Sequence, residues 1–138
     1  PNGWCSPQKA QHLYELAIQS GLEMSLELGV FSGRSLIPLG IAHKDNGRGF
    51  ALGVDTWSKQ AALEGTNDKA NDEWWESLNY HELYKECNSA IDSLDLNDYC
   101  GTVRMKSTIF GMLVEKKLIT LIHQDSNHSE EVTCAEVE

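Results

Sequence analysis

Residues 24–38 hold the pattern that most constrains what this chain can fold into. Met24, Leu26, Leu28 and Val30 alternate with Ser25, Glu27 and Gly29, the period of a strand. A polar glycine turn follows at Ser32-Gly33-Arg34, and residues 35–43 then read as a short apolar helix. Pro38 lacks an N–H and fits only in a helix's first turn, so this helix is expected to begin near Arg34. Parallel strands need a crossover between them, and strand, glycine turn and helix make its first half.

The same unit recurs along the chain. Ser6-Pro7 reads as a helix entrance, and Ala10, Leu13, Tyr14, Ala17 and Ile18 keep helical spacing until Gly21 supplies a stop. Residues 50–55 read as the second strand, entered from the turn at 46–49. The polar residues 59–71 read as a loop. Asp72 is then expected to cap one longer helix, with Trp75, Leu78, Tyr84, Cys87, Ile91 and Leu94 along one side. Residues 102–106 form a third strand, Ser107 or Thr108 caps a helix over 109–116, and residues 118–123 form a fourth strand. The acidic tail from Glu130 to Glu138 is most simply a solvated helix face.

Strands alternating with helices predict an α/β fold: a Rossmann-like parallel sheet of about four strands with flanking helices, in a single domain. Right-handed crossovers carry the irregular polar clusters to one rim, at the carboxyl ends of the strands. Those clusters are Ser32-Gly33-Arg34, Asp55-Thr56-Trp57, Ser107-Thr108 and residues 125–128. Four loops on one rim make a site.

Charge narrows the ligand. Among 138 residues, 11 Lys+Arg stand against 21 Asp+Glu, a net −10, which excludes duplex binding through a basic face. No apolar run approaches the roughly 18–20 residues that span a bilayer, so neither nucleic acid nor membrane is an expected partner. Cys5, Cys87, Cys100 and Cys134 are scattered without a C-x-x-C pair, which reads as reduced thiols in a cytoplasmic protein.

The run Glu27-Leu28-Gly29-Val30-Phe31-Ser32-Gly33 departs from the G-x-G-x-x-G of dinucleotide folds. Phe31 stands where the second glycine would let backbone approach a pyrophosphate, and the P-loop lysine is missing too. A nicotinamide oxidoreductase is therefore disfavoured, and a nucleoside without a diphosphate is favoured. Asp55 ends the second strand, where a carboxylate can accept from both hydroxyls of a ribose. Trp57 is near enough to stack on an adenine, a contact worth about 1–3 kcal/mol. Glu27 adds negative charge near the turn, suiting a ligand with an amino group and a sulfonium. S-adenosylmethionine meets all of these demands.

Read in order, Gly3-Trp4-Cys5-Ser6-Pro7, the run from Leu26 to Pro38, Gly53-Val54-Asp55-Thr56-Trp57-Ser58, Ala62-Leu63-Glu64-Gly65 and the run from His123 to Glu131 resemble the small class I S-adenosylmethionine-dependent methyltransferases related to the catechol O-methyltransferase group. The resemblance covers nearly the whole chain. It implies that Glu27, Gly29 and Gly33 shape the methionine end of the cofactor site, that Asp55 holds the ribose, and that Ser107 meets the adenine edge. It further implies that Asp125 is a metal ligand or contacts the reacting groups, and that His128 faces a small-molecule methyl acceptor. Ser126 replaces a usual glycine. Family members continue through further strands, so the chain is expected to be the cofactor half of such a domain.

His123, Asp125 and His128 admit two readings. They could form a divalent-metal site, Mg²⁺ if carboxylate and water dominate; or His123 is a hydrogen-bonded strand residue and His128 a helix cap. Trp74-Trp75 reads as a base-stacking platform or, as helical spacing favours, as core or interface. Arg34 reads as a carboxylate grip or a solvated helix-start residue. The expected activity is methyl transfer to oxygen, less readily nitrogen, with the acceptor's proton removed by a base such as His128 or loosened by Mg²⁺. The alternative is a non-catalytic nucleoside-binding or assembly module. In either case residues 118–122 would form an open apolar edge through which two copies pair.

Overall fold

The computed structural model describes residues 3–65, 68–126 and 136. Helix α1 (Pro7–Gln19) leads to β1 (Met24–Leu28), α2 (Leu36–Asn46) and β2 (Phe50–Asp55). Three helices follow, α3 (Lys59–Ala62), α4 (Lys69–Glu76) and α5 (Tyr80–Ser93). Strand β3 (Cys100–Arg104), helix α6 (Ser107–Leu113), a 3-10 turn (Lys116–Leu118) and β4 (Ile119–Gln124) complete the order. The four strands pair in parallel in the order β3-β2-β1-β4, with helices flanking the sheet. This is a Rossmann-like α/β fold.

Local chemistry sets most boundaries. Ser6 caps α1 by accepting from the Lys9 N–H, with Pro7 at the first helical position. Gly47, at φ 61°, ends α2 in the left-handed conformation. Pro38 sits in the first turn of α2, where no N–H is required of it.

Four expectations need correction. The stretch 59–71 is not simply a loop: α3 lies within it, and α4 starts at Lys69. Asp68, not Asp72, caps α4, accepting from the Asn71 N–H. The single long helix is two, because Asn79 caps a fresh start by accepting from the Glu82 N–H, while the Ser77 hydroxyl bonds the Trp74 carbonyl. Those side chains offer the backbone an alternative to continuing the helix. Ser107 also opens α6 as its first residue, with Lys106 in the cap position.

Alternation along β1 divides the molecule. Leu26 and Leu28 join Val54 and Phe110 of α6 in a small core. Ser25 and Glu27 point the other way, toward the larger core built from α1, α2, α5 and the strands. Both are wholly buried, so both need partners. His43 of α2 supplies one, its Nε2 standing 2.9 Å from Ser25 Oγ and its Nδ1 2.8 Å from the Arg48 carbonyl. Burial lowers the pKa of His43, so the ring is neutral in this role.

The sheet order places the topological switch between β1 and β4: β2 and β3 lie on one side of β1, and the chain crosses to the other for β4. A crevice at the carboxyl ends of β1 and β4 is the expected ligand position.

Candidate functional site

A cavity of about 570 Å³ opens at this crevice, within the usual range for small-ligand sites. Its wall takes in the β1–α2 turn, the end of β2, the start of α6, the end of β4 and α4. Of the expected site residues, Gly29, Asp55, Trp57, Ser107 and Asp125 line it; Glu27 and Gly33 lie behind the wall. His128 lies outside the described residues.

Asp55 is the organising carboxylate. Its Oδ2 accepts from the N–H groups of Val30 (2.8 Å) and Phe31 (3.1 Å), and its Oδ1 from the Trp57 N–H (2.8 Å). The end of β2 thereby braces the turn after β1, with Phe31 at φ 57°, and its own exit, with Trp57 at φ 45°. Such values cost a bulky residue strain and persist only when neighbouring contacts hold them. A carboxylate offers about four acceptor positions. Three serve the protein, so one remains for a ligand hydroxyl rather than a pair.

Four N–H groups of the turn are satisfied inside the protein. Gly29 donates to the Val54 carbonyl (2.9 Å), Gly33 to that of Val30 (3.0 Å), and Val30 and Phe31 to Asp55. The glycines answer to packing. A Cβ on Gly33, at φ +91°, would stand 2.6 Å from Cys87 Sγ; one on Gly29, at φ +85°, would run into the backbone leaving β4 at Asp125 and Ser126.

Glu27 is the base of the site. It is fully buried, opposite His123 in the β1–β4 register, and its Oε1 accepts from the Ser35 hydroxyl and stands 2.8 Å from His123 Nδ1. Burial raises its pKa, while His123 and Ser35 pull it back. Oε2 has no hydrogen-bond partner among the described residues. His123 therefore serves Glu27, and Ser35, which sequence reasoning left unassigned, is the hydroxyl joining α2 to this pair. A serine at a helix start reads as a backbone cap, yet its side chain makes no cap bond here.

Asp125 reaches the rim from β4, its N–H bonded to the Leu28 carbonyl and its Oδ2 3.4 Å from Lys9 Nζ. Among the described residues no three His, Cys, Asp or Glu side chains converge as a cation site. The Asp125 carboxylate faces the Lys9 ammonium, a pairing that does not by itself fit Mg²⁺. Lys106 similarly faces Glu64 at 3.3 Å. Ser107 donates to Glu136, which also accepts from Gln124 (2.6 Å) and Ser126.

Trp57 is only 3% exposed; its indole N–H donates to the Phe31 carbonyl (2.7 Å) and its ring meets Tyr84 edge-on at 5.0 Å. It reinforces the turn and offers the cavity a limited surface. Arg34 donates to the Gly3 carbonyl at 2.8 Å, fastening the N-terminal segment to the turn. Tyr80 donates to the Trp75 carbonyl at 2.6 Å; its phenol, pushed up to about 12 by burial and by Asp55, stays protonated. Cys5, Cys87 and Cys100 are free and buried. No helix among the described residues is long and apolar enough to cross a membrane.

Compared with known proteins, the chain matches no family model and no curated protein.

Proposed function

We propose that this protein is an S-adenosylmethionine-dependent methyltransferase that methylates an oxygen of a small-molecule acceptor. One observation carries the reading: four N–H groups of the glycine turn are bonded to protein acceptors. A diphosphate cradle needs such groups directed at the ligand. The rim cations Lys9 and Lys106 are matched by Asp125 and Glu64, so they add no surplus for a phosphate. A phosphate-free nucleoside suits this wall better than a dinucleotide does.

S-adenosylmethionine brings an electrophilic methyl on a sulfonium, open to in-line attack. The chain's part is positioning, which can supply much of the rate. Asp55 has one acceptor position left for a ribose hydroxyl, and the backbone at Gly29 forms the floor beneath it. Asp125 accepts the hydrogen bond of the acceptor's hydroxyl at the rim and takes its proton, with Lys9 fixing the carboxylate. The role assigned to His128 stands on the resemblance alone. The free buried thiols fit a reducing compartment such as the cytoplasm.

The exposed edge favours an assembly role beside the catalytic one. Ile122 on β4 is 56% exposed, and Ile109, Met112 and Leu113 of α6 are also open to solvent. A strand with a free edge and apolar side chains pairs readily with another copy.

Calorimetric titration with S-adenosylmethionine and with NAD tests the function. Saturable binding of the first and none of the second is expected, weakened about fivefold or more by Asp55→Asn, which loses a charged acceptor. Preference for NAD would overturn the reading.

A further inference from the structure

The mouth of the cavity carries a feature that methyl transfer does not by itself require. Trp4 from the N-terminal segment, Phe31 from the turn and Trp74 and Trp75 from α4 converge there, with ring centroids 4.9 to 6.3 Å apart. Trp4 is 70% exposed and Trp74 40% exposed, while Trp4, Phe31 and Trp75 line the cavity. Large rings from two segments, Trp4 and Trp74, thus stay in water beside the site, a surface disposed to be covered.

The angles decide what covers it. Phe31 and Trp74 are nearly parallel at 21°, but their centroids are only 6.2 Å apart. A flat ring between two others needs about 7 Å, twice a stacking contact of about 3.5 Å. That slot is closed. The other pairs meet at corners: Phe31 and Trp75 at 87°, Trp74 and Trp75 at 79°, Trp4 and Trp75 at 58°. Rings tilted against one another leave no flat slot between them, so a compact rounded group lying against the exposed surfaces of Trp4 and Trp74 fits better than a planar one. The Trp75 indole N–H is tied to Asn71 Oδ1 at 3.2 Å, so its ring is set in advance.

Charge selects a cation. Helix α4 and its cap carry Asp68, Asp72, Glu73 and Glu76 against Lys69, itself 3.8 Å from Glu73. Asp72 lies three residues before Trp75, neighbours on the helix surface. Its Oδ1 is buried without a hydrogen-bond partner among the described residues. A buried acceptor-only oxygen without a partner favours positive charge nearby, and exposed ring faces attract the same sign of charge. Arg34, the guanidinium near Trp4, is engaged with the Gly3 carbonyl and exposed to water.

We propose that the aromatic corner of Trp4, Phe31, Trp74 and Trp75 binds an alkylammonium group on the methyl acceptor, away from the oxygen that is methylated. Its standing as an acceptor subsite rests on the methyltransferase reading; its capacity to bind a cation does not. The test titrates the protein, without cofactor, with choline and with its uncharged isostere 3,3-dimethylbutan-1-ol, following tryptophan fluorescence and then calorimetry. Choline is expected to bind about fivefold or more tightly than the isostere, as a cation–π contribution implies. Trp74→Leu and Asp72→Asn should each weaken choline about threefold or more, while leaving S-adenosylmethionine affinity within about twofold of the unaltered protein. Trp4→Leu gives a second, highly exposed position where folding is not at stake. Equal binding of choline and isostere, or tighter binding of benzyl alcohol than of choline, overturns the proposal. Failure of the unaltered protein to bind choline, with S-adenosylmethionine binding present, defeats the subsite alone. Choline binding without S-adenosylmethionine binding upholds the cation site and defeats the methyltransferase reading.

Discussion

Gly29→Ala puts the packing of the site to its strictest test. Gly29 sits at φ +85°, where an L-residue pays roughly 1–2 kcal/mol for the left-handed backbone. The added methyl would also lie 2.5 Å from the Ser126 nitrogen, and closer still to the Asp125 carbonyl oxygen and Ser126 Cα. Those are backbone atoms at the end of β4, so relief means moving a strand exit whose Asp125 N–H is held by Leu28 at 2.8 Å. Overpacking of this kind costs about 1–3 kcal/mol. The sum is about 2–5 kcal/mol, a large share of the roughly 5–15 kcal/mol that stabilises a domain.

Gly47→Ala is the matched control. Its φ is +61° and nothing stands within 4 Å of the new methyl, so only the backbone cost applies. The two variants should differ by about 1–3 kcal/mol, on the order of 1 M in urea midpoint for a typical slope. Urea unfolding followed by circular dichroism measures both. Equal midpoints would refute the claim that Gly29 is glycine because β4's exit crosses it.

Three further outcomes follow from the same geometry. Burial raises the Glu27 pKa above the ordinary value of 4.5, so the folded state holds that proton more tightly than the unfolded chain. Its stability contribution is therefore full below about 4.5 and is lost as pH rises through the folded value. Glu27→Gln should gain on the unaltered protein in urea midpoint as pH rises above about 4.5; parallel pH profiles would refute the burial argument. Cys87 and Cys100, pushed up to about 12 by burial, should react with a thiol reagent at neutral pH only as fast as the fold opens. Peptide-level mass spectrometry reads this, and rapid labelling of either would contradict their placement. Ile122→Lys should lower self-association in sedimentation by charging the exposed edge; unchanged sedimentation of a dimer would remove β4 from the interface.

The layered fold was legible because its signals are local and periodic. Alternation marked β1, the turn at 46–49 the entry to β2, Ser6-Pro7 the start of α1, and the strand–helix alternation the parallel sheet. Residues 59–79 were less legible, since their apolar spacing runs on while side-chain caps interrupt the backbone. Asp68 and Asn79 each restart a helix by accepting an N–H three residues on. Asp72 looked as good a cap, and sequence alone does not rank competing caps a few residues apart. The pairing of β4 with β1 is a long-range choice, and the contact of Glu27 with His123 becomes visible only with it.

The carboxylates bear on how such a site is read. A charged residue ending an apolar strand is conspicuous in a sequence because it must be satisfied, but a ligand is only one way to satisfy it. Asp55 spends three acceptor positions on the backbone of the turn, and Glu27 spends one oxygen on Ser35 and His123. What differs between them is access. Asp55 lines the cavity with acceptor capacity to spare, whereas Glu27 is 0% exposed and absent from its wall. A carboxylate that both braces the turn and lines the cavity couples the two, so under the proposed function the turn's shape and the affinity for the nucleoside should change together. Glu27 acts one layer deeper, through Ser35 at the start of α2 and His123 on β4, by keeping the two sides of the switch point in register.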